Sequence, residues 1–234
     1  MRLRLPRPAG PLAAFVLAVG LLSGCGSSSK GNGVAAKTPA EIVAGAKVLA
    51  DAASSVHVSG SILGGNSQIT LNLYLVAGKG GRGQISENGL SFEVIRIHST
   101  AYIKGSSAFY RHLAGAAAAQ LLQGRWLKAP ASTGSLASIA PLTDLRQLLD
   151  ATLTAHGALV KGASTTLNGQ KVLAVKDTSA GGTLYVATTG PPYPVDVSKG
   201  GTGGGRIVFD GWNQPVSITA PASAIDVTQL QSGH

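Results

Sequence analysis

The chain has 234 residues, with 19 Lys and Arg against 10 Asp and Glu, a net charge of +9 and 44% hydrophobic residues. This composition is too apolar for a disordered protein, and the length is sufficient for one domain with a hydrophobic core. The 32 glycines and the 5% aromatic content favour short strands and turns over a helical bundle. A single cysteine, Cys25, excludes an intrachain disulfide, a cysteine-based zinc site and an iron–sulfur cluster.

The N-terminal segment has the features of a secretory signal peptide. Three arginines precede the uncharged apolar run 11–22, which is shorter than the roughly 20 residues that span a bilayer. Leu22-Ser23-Gly24-Cys25 follows at once and is similar to a bacterial lipobox, whose cysteine is acylated and becomes the first mature residue. We therefore predict that residues 1–24 are a lipoprotein signal peptide and that Cys25 carries acyl chains, since two chains give stable anchoring.

The basic residues of the mature chain are scattered. Removal of residues 1–24 takes away three arginines and no acidic residue, which lowers the net charge from +9 to +6. Nucleic-acid binding requires a clustered basic stripe or a recognisable module, so we expect no nucleic-acid partner. The modest excess of positive charge favours weak attraction to anionic lipid headgroups.

Residues 25–37 are small and polar without any period, which predicts a flexible tether that places the domain roughly 20 Å from its anchor. The folded domain is predicted at residues 38–230, from Thr38 to Leu230. It begins with a helix, because Thr38 and Glu41 form a capping-box pattern around Pro39. Apolar residues then recur on one face of this helix, which is predicted to end near Ser54.

A series of strands follows the first helix. Residues 56–62 and 68–75 alternate between apolar and polar side chains, which is typical of strands with one buried face. Further strands are predicted at 81–86, 91–98 and 100–104. Within 91–98 the apolar sequence Phe92, Val94, Ile95, Ile97 breaks the alternation and predicts a β-bulge.

The middle of the chain changes to helical patterns. Residues 106–123 combine an N-terminal serine pair with an alanine run and Gly124, which predicts a helix. A short extended piece is predicted at 126–130. A second helix is predicted at 141–153, where four leucines lie on one side.

The last third returns to strands, predicted at 158–167, 171–177, 183–188, 194–198, 206–210 and 216–220. Asn168-Gly169 forms a hairpin turn between the first two of these strands. Short turns between successive strands require antiparallel pairing. We therefore predict an α+β fold in which a curved antiparallel sheet wraps around helices, a shape that leaves room for a cavity.

Several short motifs stand in a fixed order along the mature chain. They are the lipobox, GRWLK at 124–128, NGQK at 168–171, LYVA at 184–187 before PPYP at 191–194, and VFDGW at 208–212 before VSITAP at 216–221. In this order they resemble the mycobacterial lipoprotein family that includes LppX, LprG, LprA and LprF. One departure is the loop KGGTGGG at 199–205, which is longer and richer in glycine than is expected between the closing strands of that family.

The resemblance implies a LolA-like fold, a half-open antiparallel barrel that encloses helices and an apolar pocket for acyl chains. It also implies that the protein binds lipids or lipoglycans and moves them toward the outer envelope. It implies no catalytic residue.

The sequence itself offers no local signature of catalysis or metal binding. The five histidines lack the spacing of metal ligands, and no Gly-x-Ser-x-Gly motif is present. The loop at 199–205 lacks the Gly-Lys-Ser/Thr ending of a phosphate loop. We therefore predict a protein without cofactor, metal or catalytic residue, and not an enzyme.

We predict a monomeric lipid carrier that Cys25 holds on the extracytoplasmic face of the cell membrane. It would bind a lipid or glycolipid by its acyl chains and pass it to an acceptor in the envelope, with the anchor keeping the mouth near the bilayer. The predicted cavity wall consists of inward-facing residues, namely Ile62, Leu71, Leu73, Val94, Ile103, Val186 and Phe209. Lys104 or Arg206 is predicted to meet an anionic headgroup at the mouth.

An alternative from another class stays open at this point. The same sheet would suit a non-enzymatic lipoprotein that senses or stabilises an envelope partner and has a filled core. The volume inside the sheet separates the two, because an apolar hollow of several hundred Å³ favours a carrier.

Overall fold

The computed structural model describes residues 31–64, 67–134, 136–154, 156–201 and 203–231. In these residues a single sheet of 12 strands curves around helices, in the order β12-β6-β5-β4-β3-β2-β1-β11-β10-β9-β8-β7. Every neighbouring pair is antiparallel except β12 with β6, which is parallel. The predicted curved antiparallel sheet wrapped around helices is therefore confirmed.

The N-terminal half contains a 3₁₀ turn at Val34–Ala36, α1 at Pro39–Asp51, and five strands in sequence: β1 Ser55–Gly64, β2 Ser67–Val76, β3 Gly80–Glu87, β4 Leu90–Ile97 and β5 Thr100–Gly105. The middle contains α2 Ser107–Leu122, β6 Leu127–Pro130, α3 Leu136–Ile139, a 3₁₀ turn at Ala140–Thr143 and α4 Leu145–Leu153. The last third contains β7 Leu159–Leu167, β8 Gln170–Asp177, β9 Gly182–Ala187, β10 Pro194–Lys199, β11 Gly205–Asp210, β12 Ile225–Asp226 and α5 Val227–Gln231.

The predicted capping box of α1 is present. The Thr38 hydroxyl accepts a hydrogen bond from the Glu41 backbone N–H at 3.3 Å, and the Glu41 carboxylate accepts one from the Thr38 N–H at 2.8 Å. The Thr38 hydroxyl also donates to the Glu41 carboxylate at 2.7 Å, and this bond together with the one from the Thr38 N–H lowers the pKa of Glu41. The helix begins as the sequence predicts and buries one face, formed by Ile42, Val43, Ala46 and Ala50.

The segment 31–37, which we call the arm, is folded against the sheet. Val34 is 2% exposed and belongs to the main hydrophobic core. Asn32 makes three hydrogen bonds of 2.9 Å with carbonyl oxygens at one end of β9 and the following turn, those of Ala187, Thr188 and Gly190. Residues 31–37, which lie inside the predicted tether, are therefore part of the folded domain, because Val34 is buried and the Asn32 amide is paired.

The sheet has two ends, which we name by their residues. The arm end is where β1 begins at Ser55 and β9 ends at Ala187. The far end is the opposite one, where β1 reaches Gly64 and where β9 and β11 begin at Gly182 and Gly205.

Three details differ from the sequence predictions. All eight residues of β4 pair regularly with β3, so the predicted bulge is wrong, and Ile95 and Ile97 instead lie half-buried on the outer face. The helix predicted at 141–153 is interrupted at Asp144, whose extended backbone and side chain cap α4 through the Gln147 N–H. Residues 216–220 form no strand, because the chain crosses from β11 to the opposite edge of the sheet, where Ile225 pairs with β6.

Position 60 on β1 requires glycine, because β11 approaches β1 closely there. Gly60 lies within β1 at a φ of 145°, and a Cβ atom there would lie 2.0 Å from the carbonyl oxygen of Arg206 on β11. A glycine in this region accommodates backbone geometry that other residues adopt only with strain.

We expect Gly60→Ala to lower the free energy of unfolding by more than about 2 kcal/mol, because neither backbone can move without breaking the ladder. Urea denaturation followed by circular dichroism measures this value. Gly45→Ala is the matched control: Gly45 lies within α1 with no atom near its Cβ position, so alanine should stabilise by about 0.5–1 kcal/mol. Effects of the same sign and size at the two positions would contradict the argument.

Candidate functional site

An apolar cavity of about 410 Å³ lies between the inner face of the sheet and the helices α1 and α4. Four neighbouring strands each contribute one side chain at the same level of the sheet, and these residues pair in register: Val175, Leu184, Val197 and Ile207. Val43 of α1 and Leu148 of α4 face them from the helical side. The cavity opens at the far end, where its exposed lining residues lie.

The cavity ends one layer of side chains further toward the arm end. The next inward-facing residues in that direction are at most 3% exposed and belong to the main core, namely Leu173, Val186 and Phe209. Trp212 packs against this core, with its ring stacked on Phe209 at 5.9 Å between centroids. The inner face is therefore filled at the arm end and hollow at the far end.

The predicted wall residues divide into two groups. Ile62 lines the cavity, near the end of β1. The structure places the other six in the packed core, with exposures from 0 to 8%: Leu71, Leu73, Val94, Ile103, Val186 and Phe209. Alternation in the sequence identified the inward face of each strand correctly, but it carried no information on how far along the strand the helices fill the space. Proximity to the glycine-rich loop at 199–205 is the signal that points to Val197 and Ile207.

The two predicted headgroup cations lie on the outer face of the sheet, away from the cavity. Lys104 forms an ion pair of 2.7 Å with Glu93 and lies 5.0 Å from the centre of the Trp126 ring. Arg206 donates to Asp196 at 2.5 Å. Burial raises the pKa of Asp196, and the hydrogen bond from Arg206 opposes that rise. The prediction for Lys104 and Arg206 is corrected by these pairings.

The rim of the cavity combines glycines with basic groups. Gly203 and Gly204 of the glycine-rich loop lie on one side, and Lys199 precedes them at the end of β10. His156 lies on the opposite side of the mouth. Lys199 is exposed and forms no ion pair with the residues that the structure describes. It is the lysine available to an anionic group at this mouth.

Asp177 organises the rim from within. Its carboxylate accepts backbone hydrogen bonds from Ala180 at 2.9 Å, Gly157 at 2.9 Å and Ser179 at 2.8 Å. These bonds lower the pKa of Asp177, because they stabilise the ionised form. The carboxylate therefore joins the turn after β8 to the segment that enters β7.

A second pocket, of about 400 Å³, lies on the outer face and has a mixed polar and apolar lining. Its lining includes Asn72, Arg82, Gln84 and Glu93, with Trp126 at one side. The nearby imidazole of His57 is fixed between the side chains of Asp210 at 2.9 Å and Asn72 at 3.0 Å. Both ring nitrogens are therefore occupied by residues other than a hydroxyl or thiol nucleophile.

Two further observations bear on function. Among the described residues, no three histidine, cysteine or acidic side chains form a group that could hold a metal ion. None of the helices in the described ranges has the length and apolar composition needed to cross a bilayer. Cys25 lies outside the described residues.

The half-open antiparallel sheet, the helices on its inner face and the apolar cavity at one end define a LolA-like α+β fold. The solved structure of LprF from Mycobacterium bovis shares it, with a TM-score of 0.55 and 15% identity over 79% of this chain and 97% of that chain. LppX from Mycobacterium tuberculosis is also similar, with a TM-score of 0.48 and 16% identity over 77% of this chain and 99% of that one. The resemblance predicted from the sequence is therefore confirmed as a likeness of fold.

A lipoprotein-sorting protein domain from Vibrio parahaemolyticus is a more distant neighbour, with a TM-score of 0.27 and 12% identity over 78% of this chain and 95% of that chain. No protein-family model matches the sequence, and comparison with curated proteins gives no match.

Substitution of Asp177 should loosen the rim. In Asp177→Asn the neutral amide oxygen replaces a carboxylate that accepts three N–H groups, so we expect faster hydrogen exchange at Gly157 and Ala180. Because the folded state lowers the pKa, the stabilisation is complete above about pH 4 and is lost as the pH falls through the lowered pKa. NMR exchange measurements across this range test both statements. Asp226→Asn, at the opposite sheet edge, should leave these two amides unchanged, and protection that is identical in all three proteins would contradict the assignment.

Proposed function

We propose that this protein binds the acyl chains of a lipid or glycolipid in the cavity at the far end and carries them between a membrane and an acceptor in the cell envelope. The observation that supports this is an apolar cavity of about 410 Å³ that opens at one end of a LolA-like fold. A volume of this size falls within the usual range of ligand sites, about 300–1,000 Å³.

The cost of exposing an acyl chain to water explains why an apolar cavity is enough to bind one. Each methylene that leaves water contributes about 0.8 kcal/mol, so a chain of about sixteen carbons meets a barrier of roughly 13 kcal/mol in an aqueous space. Aliphatic walls such as Leu184, Val197 and Ile207 offset this barrier without directional hydrogen bonds. A polar headgroup would stay at the mouth, where Lys199 offers a positive charge.

The filled-core alternative finds support in one part of the interior only. The arm-end half is closely packed around Leu73 and Phe209, as an interaction module requires. The hollow at the far end has no such filling and favours the carrier over that alternative.

We further propose that acylated Cys25 holds the domain on the extracytoplasmic face of the cell membrane, with the lipobox as support. The docked arm affects the orientation. Cys25 and Asn32 are seven positions apart in the sequence, which corresponds to a relaxed span of about 15 Å and a maximum of about 25 Å. Gly182 at the mouth lies six residues along β9 from Thr188, about 20 Å away. A relaxed tether thus favours the arm end facing the anchoring bilayer, in place of the mouth that the sequence led us to expect there.

The anchor is tested by Cys25→Ala. We expect the wild-type protein in the membrane fraction, with a thioether-linked diacylglyceryl group on Cys25 by mass spectrometry, and the variant in the soluble extracytoplasmic fraction. Wild-type protein that is membrane-bound with an unmodified Cys25 would contradict the anchor.

Cargo binding is tested by filling the cavity. Val197→Trp places an indole among the lining residues, whereas Ser198→Trp, the next residue of β10, places the same group on the outer face. We expect native mass spectrometry of protein from a lipid-rich host to show bound lipid in the wild type and in Ser198→Trp, and little or none in Val197→Trp.

Urea denaturation should confirm that both tryptophan variants remain folded. A wild-type protein that carries no lipid and takes none from vesicles would rule out the carrier function.

A further inference from the structure

The excursion between β5 and β6 forms a helical projection at the far end of the sheet. The chain leaves β5 at Gly105, forms α2 and returns to begin β6 beside Ile103. The two legs of this excursion are joined at its base by Tyr110, whose hydroxyl accepts from the Gly105 N–H at 2.9 Å and donates to the Arg125 carbonyl at 3.2 Å. We call residues 106–125 the α2 projection.

The α2 projection bends at its middle. Gly115 has a φ of 85° and a ψ of 176°, so α2 consists of two helical pieces that meet at a break. Residues 111–117 around this break are all exposed. Because the base is bonded at Tyr110 and packed through Phe109 against Phe92 at 5.0 Å, the exposed middle forms a tip that stands away from the core.

The α2 projection presents apolar surface to solvent. Leu113 is 58% exposed and Leu121 is 73% exposed, among alanines and a glycine. Two further large hydrophobic residues with exposed side chains also lie at the far end, Leu63 at 43% on β1 and Val160 at 43% on β7. The far end of the sheet therefore combines the mouth of the cavity with a concentration of exposed aliphatic groups.

The α2 projection itself carries only basic charges. No acidic residue occurs between Glu93 and Asp144, whereas five basic residues do, at Arg96, Lys104, Arg111, Arg125 and Lys128. Three of these five pair with acids elsewhere. Arg111 and Arg125, the two in the α2 projection, are exposed and form no ion pair within the described ranges.

We propose that the α2 projection docks on an anionic lipid bilayer, with Leu113 and Leu121 inserted at the interface and Arg111 and Arg125 among the headgroups. Buried apolar area and attraction of basic residues to anionic headgroups are the two contributions that hold a segment at a bilayer surface. A protein interface is usually anchored by aromatic residues. The aromatic residues of α2, Phe109 and Tyr110, are instead turned into the domain.

Docking of the α2 projection would affect how lipid passes between a bilayer and the cavity. The α2 projection and the mouth lie at the same end of the sheet, so a bilayer that receives the tip lies beside the mouth. This surface is distinct from the end at which the arm docks. Docking of the α2 projection requires no lipid in the cavity, and it is measured separately from lipid binding.

The test uses the full chain with Cys25→Ser, so that a single introduced cysteine is unique. Leu113→Cys receives an environment-sensitive NBD label at the tip, and Val48→Cys receives it on α1, at a residue that is 70% exposed. Both proteins share the same N-terminus, so attachment through that segment affects them equally. The vesicles contain equal parts of phosphatidylglycerol and phosphatidylcholine, with pure phosphatidylcholine for comparison.

We expect a blue shift and gain of intensity for the label at position 113 with anionic vesicles, little change with neutral vesicles, and no change at position 48. Arg111→Glu with Arg125→Glu, in the Leu113→Cys protein, should weaken the response to anionic vesicles by more than about tenfold. Circular dichroism confirms that the labelled proteins are folded.

Three results would overturn the proposal. The first is no response at position 113 in folded protein, and the second is an equal response at positions 113 and 48. The third is a blue shift at position 113 when unlabelled chain is added without vesicles, which would assign the surface to self-association. Lipid uptake by the cavity is scored separately by mass spectrometry, so failure of docking leaves the carrier proposal to its own test.

Discussion

The sheet has one large apolar face that must be kept from water, and the rest of the structure depends on this constraint. The sheet directs its aliphatic residues inward on strand after strand, and only short helices are available to cover them. Where α1 and α4 lie over the sheet, side chains such as Leu73 and Phe209 become fully buried. Toward the far end α1 and α4 still face the strands, through Val43 and Leu148, but their side chains do not fill the space between helix and sheet. The cavity is the part of the apolar face that this arrangement leaves unfilled.

Polar and charged side chains on the outer face of the sheet pair with one another. Arg206 pairs with Asp196, Lys104 pairs with Glu93, and His57 is held by Asp210. Both edges of the sheet are also protected within the described residues. The short strand β12 covers β6, and a bulge between Lys161 and Ser164 disturbs the pairing of β7 at the other edge.

Prediction from the sequence succeeded where local chemistry decides the outcome. Thr38 and Glu41 specify the start of α1, and period-two alternation specifies which side chains of each strand face inward. It failed where the outcome depends on distant parts of the chain. Val186 and Leu184 look equivalent in the sequence and both are buried, yet Leu184 lines the cavity and Val186 does not, because the side chains of distant helices fill the space over one and not over the other. The same holds for residues 216–220, which have a strand pattern but no free strand to pair with.

The arm determines how mechanical load enters the domain. Any tension on the chain that precedes Gly31 reaches the sheet first at Asn32, through three hydrogen bonds to the end of β9 and its turn, and then at buried Val34. Both contacts lie against the closely packed layer of the interior. A pull at the N-terminus therefore acts first at the packed end of β9, the end away from the mouth of the cavity. Tension on the arm is transmitted toward the binding site along β9, because Leu184 on that strand lines the cavity.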